Sequence, residues 1–211
     1  MAKQAESRPI PRLYLATPPL TAAGAFAQQL AGAMKDVDVA AVLLRLAPAD
    51  DATLTKIVDA LAPSVQRAGA ALLIEGHAEF AMKSGADGVH IYPRELKTTL
   101  ERFKPDRIVG IGGLHSRHDA MVAGESGADY VLFGEIDGAG VRPSVEAIVE
   151  RVNWWAELFE PPCVAYAATR DEAREFAAAG ADFVLVDGLA WDDPRGAHAA
   201  LMDAAAAIGQ N

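Results

Sequence analysis

The chain has 211 residues, 51% of them hydrophobic and 23% charged, a balance typical of globular proteins. Its formal net charge is −10, so its surface repels polyphosphate backbones and nucleic acid is not an expected partner. A lone cysteine, Cys163, excludes an internal disulfide framework, and no apolar run approaches the length of a membrane span.

Residues 1–12, polar and carrying Pro9 and Pro11, read as a lead-in without the apolar centre of a signal peptide, which makes the cytoplasm the expected compartment. LYLA at 13–16 is a short strand stopped by Pro18 and Pro19, and the Ala/Gln/Leu-rich stretch 22–35 favours a helix. VAAVLLRL at 39–46 is the continuous apolar run of a strand buried on both faces. Leu54, Ile57, Val58, Leu61 and Val65 then repeat at helical spacing over 52–68. Further strands are expected at 70–74, 88–91, 107–111, 130–133, 162–166 and 183–186, and helices at 78–84, 93–103, 118–126, 143–159, 170–179 and 194–208. Eight strand–helix units in a chain of this length predict an α/β fold, a (β/α)8 TIM barrel in one domain over 13–211. A doubly wound open sheet is the alternative, but ATPPL at 16–20 is not the Gly-rich loop such a sheet carries after its first strand.

Three near-identical pentapeptides, GADGV at 85–89, GADYV at 127–131 and GADFV at 180–184, each stand between a helix and a strand. They read as one structural joint used three times: Gly closes the helix in a left-handed conformation, and Asp87, Asp129 or Asp182 bridges backbone groups in the turn. In a barrel these joints lie at the amino ends of the strands, opposite the functional face.

Functional candidates therefore lie just after each strand. They are Arg45, Glu75 to His77, His90 with Tyr92 to Glu95, Gly112 to His115, Gly134 to Asp137, Tyr166, and Asp187 with Trp191. Arg45 is either an anion anchor or the ion-pair partner of Glu75 on the adjacent strand. Strand alternation sends Glu75 and His77 the same way, so with Glu95 they form a cluster able to move protons or hold a divalent metal, or simply a hydrogen-bonded rim. His115, in a loop before a helix, is either a general acid/base or simply a surface histidine, while His90 lies within its strand and reads as a satisfied interior residue. Tyr166 and Asp187 follow the seventh and eighth strands, where barrels commonly bind phosphate; no Gly-rich turn follows Tyr166, and the Asp187 charge opposes phosphate. The adjacent Trp154 and Trp155 point about 100° apart on a helix, so one of them could serve a subunit interface such as that of a homodimer, unless both pack inside.

Taken together, LYLATPPL, VLLRL, AEFAMKSGADGVHI, GLHSRHDAMVAGESGADYVLFGEI and DEAREFAAAGADFVLV resemble, in order and spacing over roughly 13–190, the thiamine-phosphate synthase and thiazole tautomerase family. The resemblance implies a TIM barrel that joins hydroxymethylpyrimidine diphosphate to thiazole phosphate, releasing pyrophosphate with Mg²⁺. Carried onto this chain, it puts substrate contacts at Arg45, Glu75, Tyr166 and Asp187, a metal carboxylate at Glu95, and a catalytic histidine at His115, where the tautomerase branch has its own; His77, on which the family's Arg falls, is a catalytic candidate through the strand-end cluster. The family's pyrimidine-contacting Gln falls on Leu43, its first metal Asp on Gly76, its Gly-Gly phosphate turn on Tyr166-Ala167 and its Ile-Ser pair on Asp187-Gly188. The family's Thr-x-Thr-Lys loop has no counterpart in GEIDGAGVRP. The expectation is the family's barrel with weakened or altered activity. The alternatives are a non-catalytic or regulatory barrel, and a barrel binding a different, less anionic small molecule.

Overall fold

The computed structural model describes residues 9–210. Eight parallel strands close into a barrel in sequence order: β1 (Arg12–Ala16), β2 (Val39–Leu44), β3 (Ala71–Glu75), β4 (Gly88–Ile91), β5 (Ile108–Ile111), β6 (Tyr130–Phe133), β7 (Cys163–Tyr166) and β8 (Phe183–Val186). Around them run α1 (Phe26–Ala33), α2 (Asp51–Arg67), α3 (Ala78–Lys83), α4 (Leu96–Phe103), α5 (Arg117–Glu125), α6 (Val145–Leu158), α7 (Arg170–Ala179), α8 (Gly188–Trp191) and α9 (Ala197–Ala207). The expected lead-in lies mostly outside the described residues, and β1 begins at Arg12, within its last position.

The apolar runs form strands because both faces are covered. One buried layer lies between strands and helices, with Leu13, Val42, Ile74 and Val131 fully enclosed. A second fills the barrel with Tyr14, Leu43, Leu73, Tyr130, Leu132, Val164 and Leu185. Each fully buried aliphatic side chain of this kind contributes about 1.5–3 kcal/mol. The two interior tyrosines are unusual, and they satisfy each other: the hydroxyls are 2.9 Å apart. The Tyr130 ring lies across Gly110, where a Cβ would fall 1.9 Å from Cζ; glycine is required there.

Each repeated Asp stitches its joint to the preceding strand. Asp87 accepts from the Leu72 N–H at 2.7 Å, Asp129 from Val109 at 2.7 Å and Asp182 from Cys163 at 2.8 Å. The backbone N–H of each Asp returns a bond to the carbonyl of the same residue. Gly127 and Gly180 take the expected left-handed conformation, with φ 97° and 100°. Gly85 does not, because α3 ends one residue earlier in an extended Ser84.

The helix expected at 22–35 is shorter, since Gly24 takes φ 42° and no side chain caps the amino end of α1. The helix expected from 194 starts at Ala197, after Gly196 at φ 95°, and α8 is an additional turn. Trp155 is fully buried and donates to the Pro161 carbonyl at 2.7 Å. Trp154 lies 4.9 Å beneath the Arg117 guanidinium and packs against Phe159. The tryptophan pair therefore forms no flat exposed surface.

Candidate active site at the carboxyl end of the barrel

The strand ends carry two polar constellations that divide the barrel mouth. The first is a chain of ion pairs and hydrogen bonds. Arg45, one residue past β2, meets Glu75 at the end of β3 at 3.2 Å and Asp187, one residue past β8, at 2.9 Å. Glu75 in turn accepts from the Tyr92 hydroxyl at 2.9 Å, and Asp187 from the Tyr166 hydroxyl at 2.9 Å and from the Gly188 N–H. Burial works against the Arg45 charge, but the Asp187 hydrogen bond and the Glu75 carboxylate outweigh it and hold the guanidinium above its ordinary range. Burial and the Asp187 carboxylate push the Tyr166 hydroxyl up to about 12. Burial and Glu75 raise Tyr92 as well.

The chain continues through the loop after β6. Arg142 lies 5.0 Å over the Tyr166 ring, donates to the carbonyls of Gly134 and Tyr166 at 3.0 and 2.6 Å, and pairs with Glu172 at 2.7 Å. Glu172 also accepts from the Ala168 N–H at 2.9 Å. Burial raises Glu172, but the bond from Arg142 and that N–H prevail, leaving it below the usual carboxylate range. A carboxylate thus sits at the start of α7, where a phosphate would lie in many barrels.

The second constellation runs through the interior. Tyr14 meets Tyr130, and Tyr130 meets His90 Nδ1 at 2.9 Å. His90 is fully buried, and its Nε2 lies 3.5 Å from Glu135 Oε1, close enough for electrostatic attraction but without a formed hydrogen bond. Glu135 Oε2 accepts from the Gly113 N–H at 2.7 Å. The side chain reaches in across Gly112, where a Cβ would lie 2.0 Å from Oε2 and 2.6 Å from His90 Nε2. Burial pushes Glu135 up, but His90, the Gly113 N–H and Arg45 outweigh it, and the group is held below its ordinary range as a carboxylate.

Beside Glu135 a cavity of about 750 Å³ opens among the loops after β4, β5 and β6, walled by Tyr92, Leu132, Ile136, Val141 and Pro143. A space of this size accommodates a small organic ligand. The opposite half of the mouth, around Arg45, Asp187, Tyr166 and Arg142, is spanned by the ion-pair chain.

The structure brings Arg45, Glu75, Tyr166 and Asp187 together. It does not bring in His77: Gly76 and His77 both adopt left-handed backbone, with φ 63° and 48°, so strand alternation ends at Glu75 and His77 is exposed. Glu95 is exposed at the end of a single 3-10 turn over Pro93–Glu95. His115 is exposed on the rim of the open cavity. Asp137 caps its own loop, accepting from the N–H groups of Ala139 and Val141 at 2.9 and 2.8 Å. Trp191 donates to the Ala16 carbonyl at 2.7 Å and packs on Phe26, fastening α8 to β1. Arg142 lies nine residues beyond β6, too far along its loop for the strand end to announce it. Its only sequence signal is a charge beside Pro143 after a Gly-rich loop.

The Mg²⁺ implied by the resemblance finds no ready centre. Among the described residues no three His, Cys, Asp or Glu side chains converge to hold a metal ion. Glu75 is committed to Arg45 and Tyr92, leaving Glu95 alone. Among the described residues, no helix is long and apolar enough to cross a membrane.

A family model described as thiamine monophosphate synthase matches residues 13–187. The thiamine-phosphate synthase of Rhodospirillum centenum is 42% identical over 91% of this chain and 95% of that protein, and that of Hyphomonas neptunium 37% identical over 95% of each. Among solved structures, thiamine phosphate pyrophosphorylase from Pyrococcus furiosus superimposes with a TM-score of 0.77 at 21% identity, covering 93% of this chain and 95% of that one. Orotidine 5′-phosphate decarboxylase from Pyrococcus horikoshii, at 14% identity, reaches 0.68 over 93% and 99%. At those identities the two structures attest the fold alone.

Proposed function

Because the chain belongs to the thiamine monophosphate synthase family, we propose that it joins hydroxymethylpyrimidine diphosphate to thiazole phosphate with release of pyrophosphate, at weakened or altered efficiency. The family reaction is supported by near-full-length similarity to relatives named for it and by retention of Arg45 at the position where the family pattern also has Arg. The altered efficiency rests on one observation: Arg45 is already held by two carboxylates, at 3.2 and 2.9 Å. An incoming diphosphate must displace one of them, and a like charge about 4 Å away costs about 4 kcal/mol at an effective dielectric near 20. In this reading Arg45 is the anion contact, Asp187 and Glu75 compete with the substrate for it, and Tyr166 and Tyr92 hold those carboxylates in place.

The test is thiamine phosphate formation by the purified protein from the two substrates with Mg²⁺. The expected result is slow product formation that accelerates in Asp187→Asn, which removes one competing charge and keeps the side-chain shape. Product no higher than in the enzyme-free control, with no binding of either substrate, refutes the reading. One observation favours a second reading, a less anionic ligand: the open cavity is lined by the Glu135 carboxylate, whose side chain is only 17% exposed.

A further inference from the structure

We propose that Glu135 is the specificity-determining group of the open cavity, and that the cavity takes a small, flat organic cation whose amidinium-type N–H groups bond to its carboxylate. The proposal rests on the second reading above and needs no thiamine phosphate to be made.

The cavity has apolar walls at Leu132, Ile136, Val141 and Pro143 and a flat one at Tyr92, whose ring packs on Gly113. Its other charged groups are spent or shallow. Arg151 donates to the carbonyls of Leu114 and His115 at 2.8 and 3.3 Å and lies over the Phe133 ring. Asp137 is used by its own loop. Arg94 and His115 are exposed at the rim, where solvent screens them. Glu135 is different, with a side chain only 17% exposed.

A carboxylate offers about four acceptor positions. Here a single hydrogen bond, from the Gly113 N–H, occupies Oε2, while the buried His90 Nε2 stands off Oε1 at 3.5 Å without a partner of its own. Glu135 is itself part of the cavity lining. The Gly113 N–H holds the carboxylate, and Gly112 leaves the space through which Glu135 reaches. A preset, under-bonded carboxylate at the end of an apolar slot complements a planar cation and rejects phosphate.

The test is calorimetric titration of the full chain at neutral pH with benzamidine and with benzamide, its neutral counterpart. Wild type is expected to bind benzamidine at least about tenfold more tightly than benzamide. Glu135→Gln, which keeps the shape and an acceptor for Gly113, is expected to lose about tenfold for benzamidine and to change little for benzamide. Val141→Trp, a change at a 62% exposed wall position that leaves Glu135 untouched, is expected to abolish binding of both. Thermal melts check that each variant is folded. Benzamidine binding unchanged in Glu135→Gln, or benzamide bound as tightly as benzamidine, overturns the role of Glu135 and leaves the cavity as the ligand site. Binding unaffected by Val141→Trp, or no binding by wild type, overturns the cavity reading itself.

Discussion

Arg142 ties the loop after β6 to the end of β7 and the start of α7, so replacing it tests whether this loop is locked or merely adjacent. Arg142→Met keeps much of the aliphatic bulk and removes the hydrogen bonds to Gly134, Tyr166 and Glu172. The pair is mostly buried, with side chains 19% and 13% exposed. Breaking a buried pair from one side costs about 3–5 kcal/mol, because the remaining charge is stranded. The residual exposure places the expected loss at the lower end, about 3 kcal/mol, or roughly 6–12 °C in melting temperature for a chain of this size. Replacing both partners strands no charge. Arg142→Met/Glu172→Met is therefore expected to be at least about 1 kcal/mol more stable than the sum of the single effects. Urea unfolding of the four proteins measures the cycle. A single-variant loss below about 1 kcal/mol, or strict additivity, would refute the lock.

Asp182→Ala should cost about 2 kcal/mol, because it orphans the buried Cys163 N–H, while Asp182→Asn keeps an acceptor and should lose less than half of that; equal losses on urea unfolding would contradict the stitch. Gly110→Ala places a Cβ 1.9 Å from the Tyr130 ring; it should destabilise by about 3 kcal/mol or more, and adding Tyr130→Leu should restore part of the loss on thermal denaturation. Glu172 is held below its ordinary range, so its share of stability is present above the unfolded-state carboxylate pKa near 4.3 and is lost as the pH falls through the lower folded value. The urea midpoint of Glu172→Gln should accordingly fall less between about pH 5 and pH 3 than that of wild type.

Much of the architecture was legible in the sequence. Apolar runs bounded by Pro and Gly, alternating with helical periodicity, allow few topologies other than the barrel, because parallel strands need helical crossovers and two covered faces. The repeated GAD joints were legible for the same local reason: a helix end, a tight turn and a strand start lie within five residues. The Arg45–Glu75 pair was legible as one of two alternatives, since adjacent strands present their ends side by side. The helix limits at Gly24 and Gly196 were less legible, because a positive φ is a property of the folded loop.

Only the closed barrel decided which strand ends became partners. Arg45 and Asp187 are 142 positions apart, and His90 and Glu135 are 45 apart; the first pair meets because β8 closes the barrel on β1, beside β2. His77 left the cluster because strand alternation holds only while the ladder lasts, and the left-handed turn at Gly76 ends it. Glu135 acquired its carboxylate character and its place beside the open cavity from Gly112, Gly113 and His90, three residues on two other strands and their loops. Composition, periodicity and local joints thus determine the barrel from the chain alone, because they act over one or two turns of backbone. The pairing of charges across its mouth, and the cavity beside Glu135, come from contacts that exist only once the strands are closed.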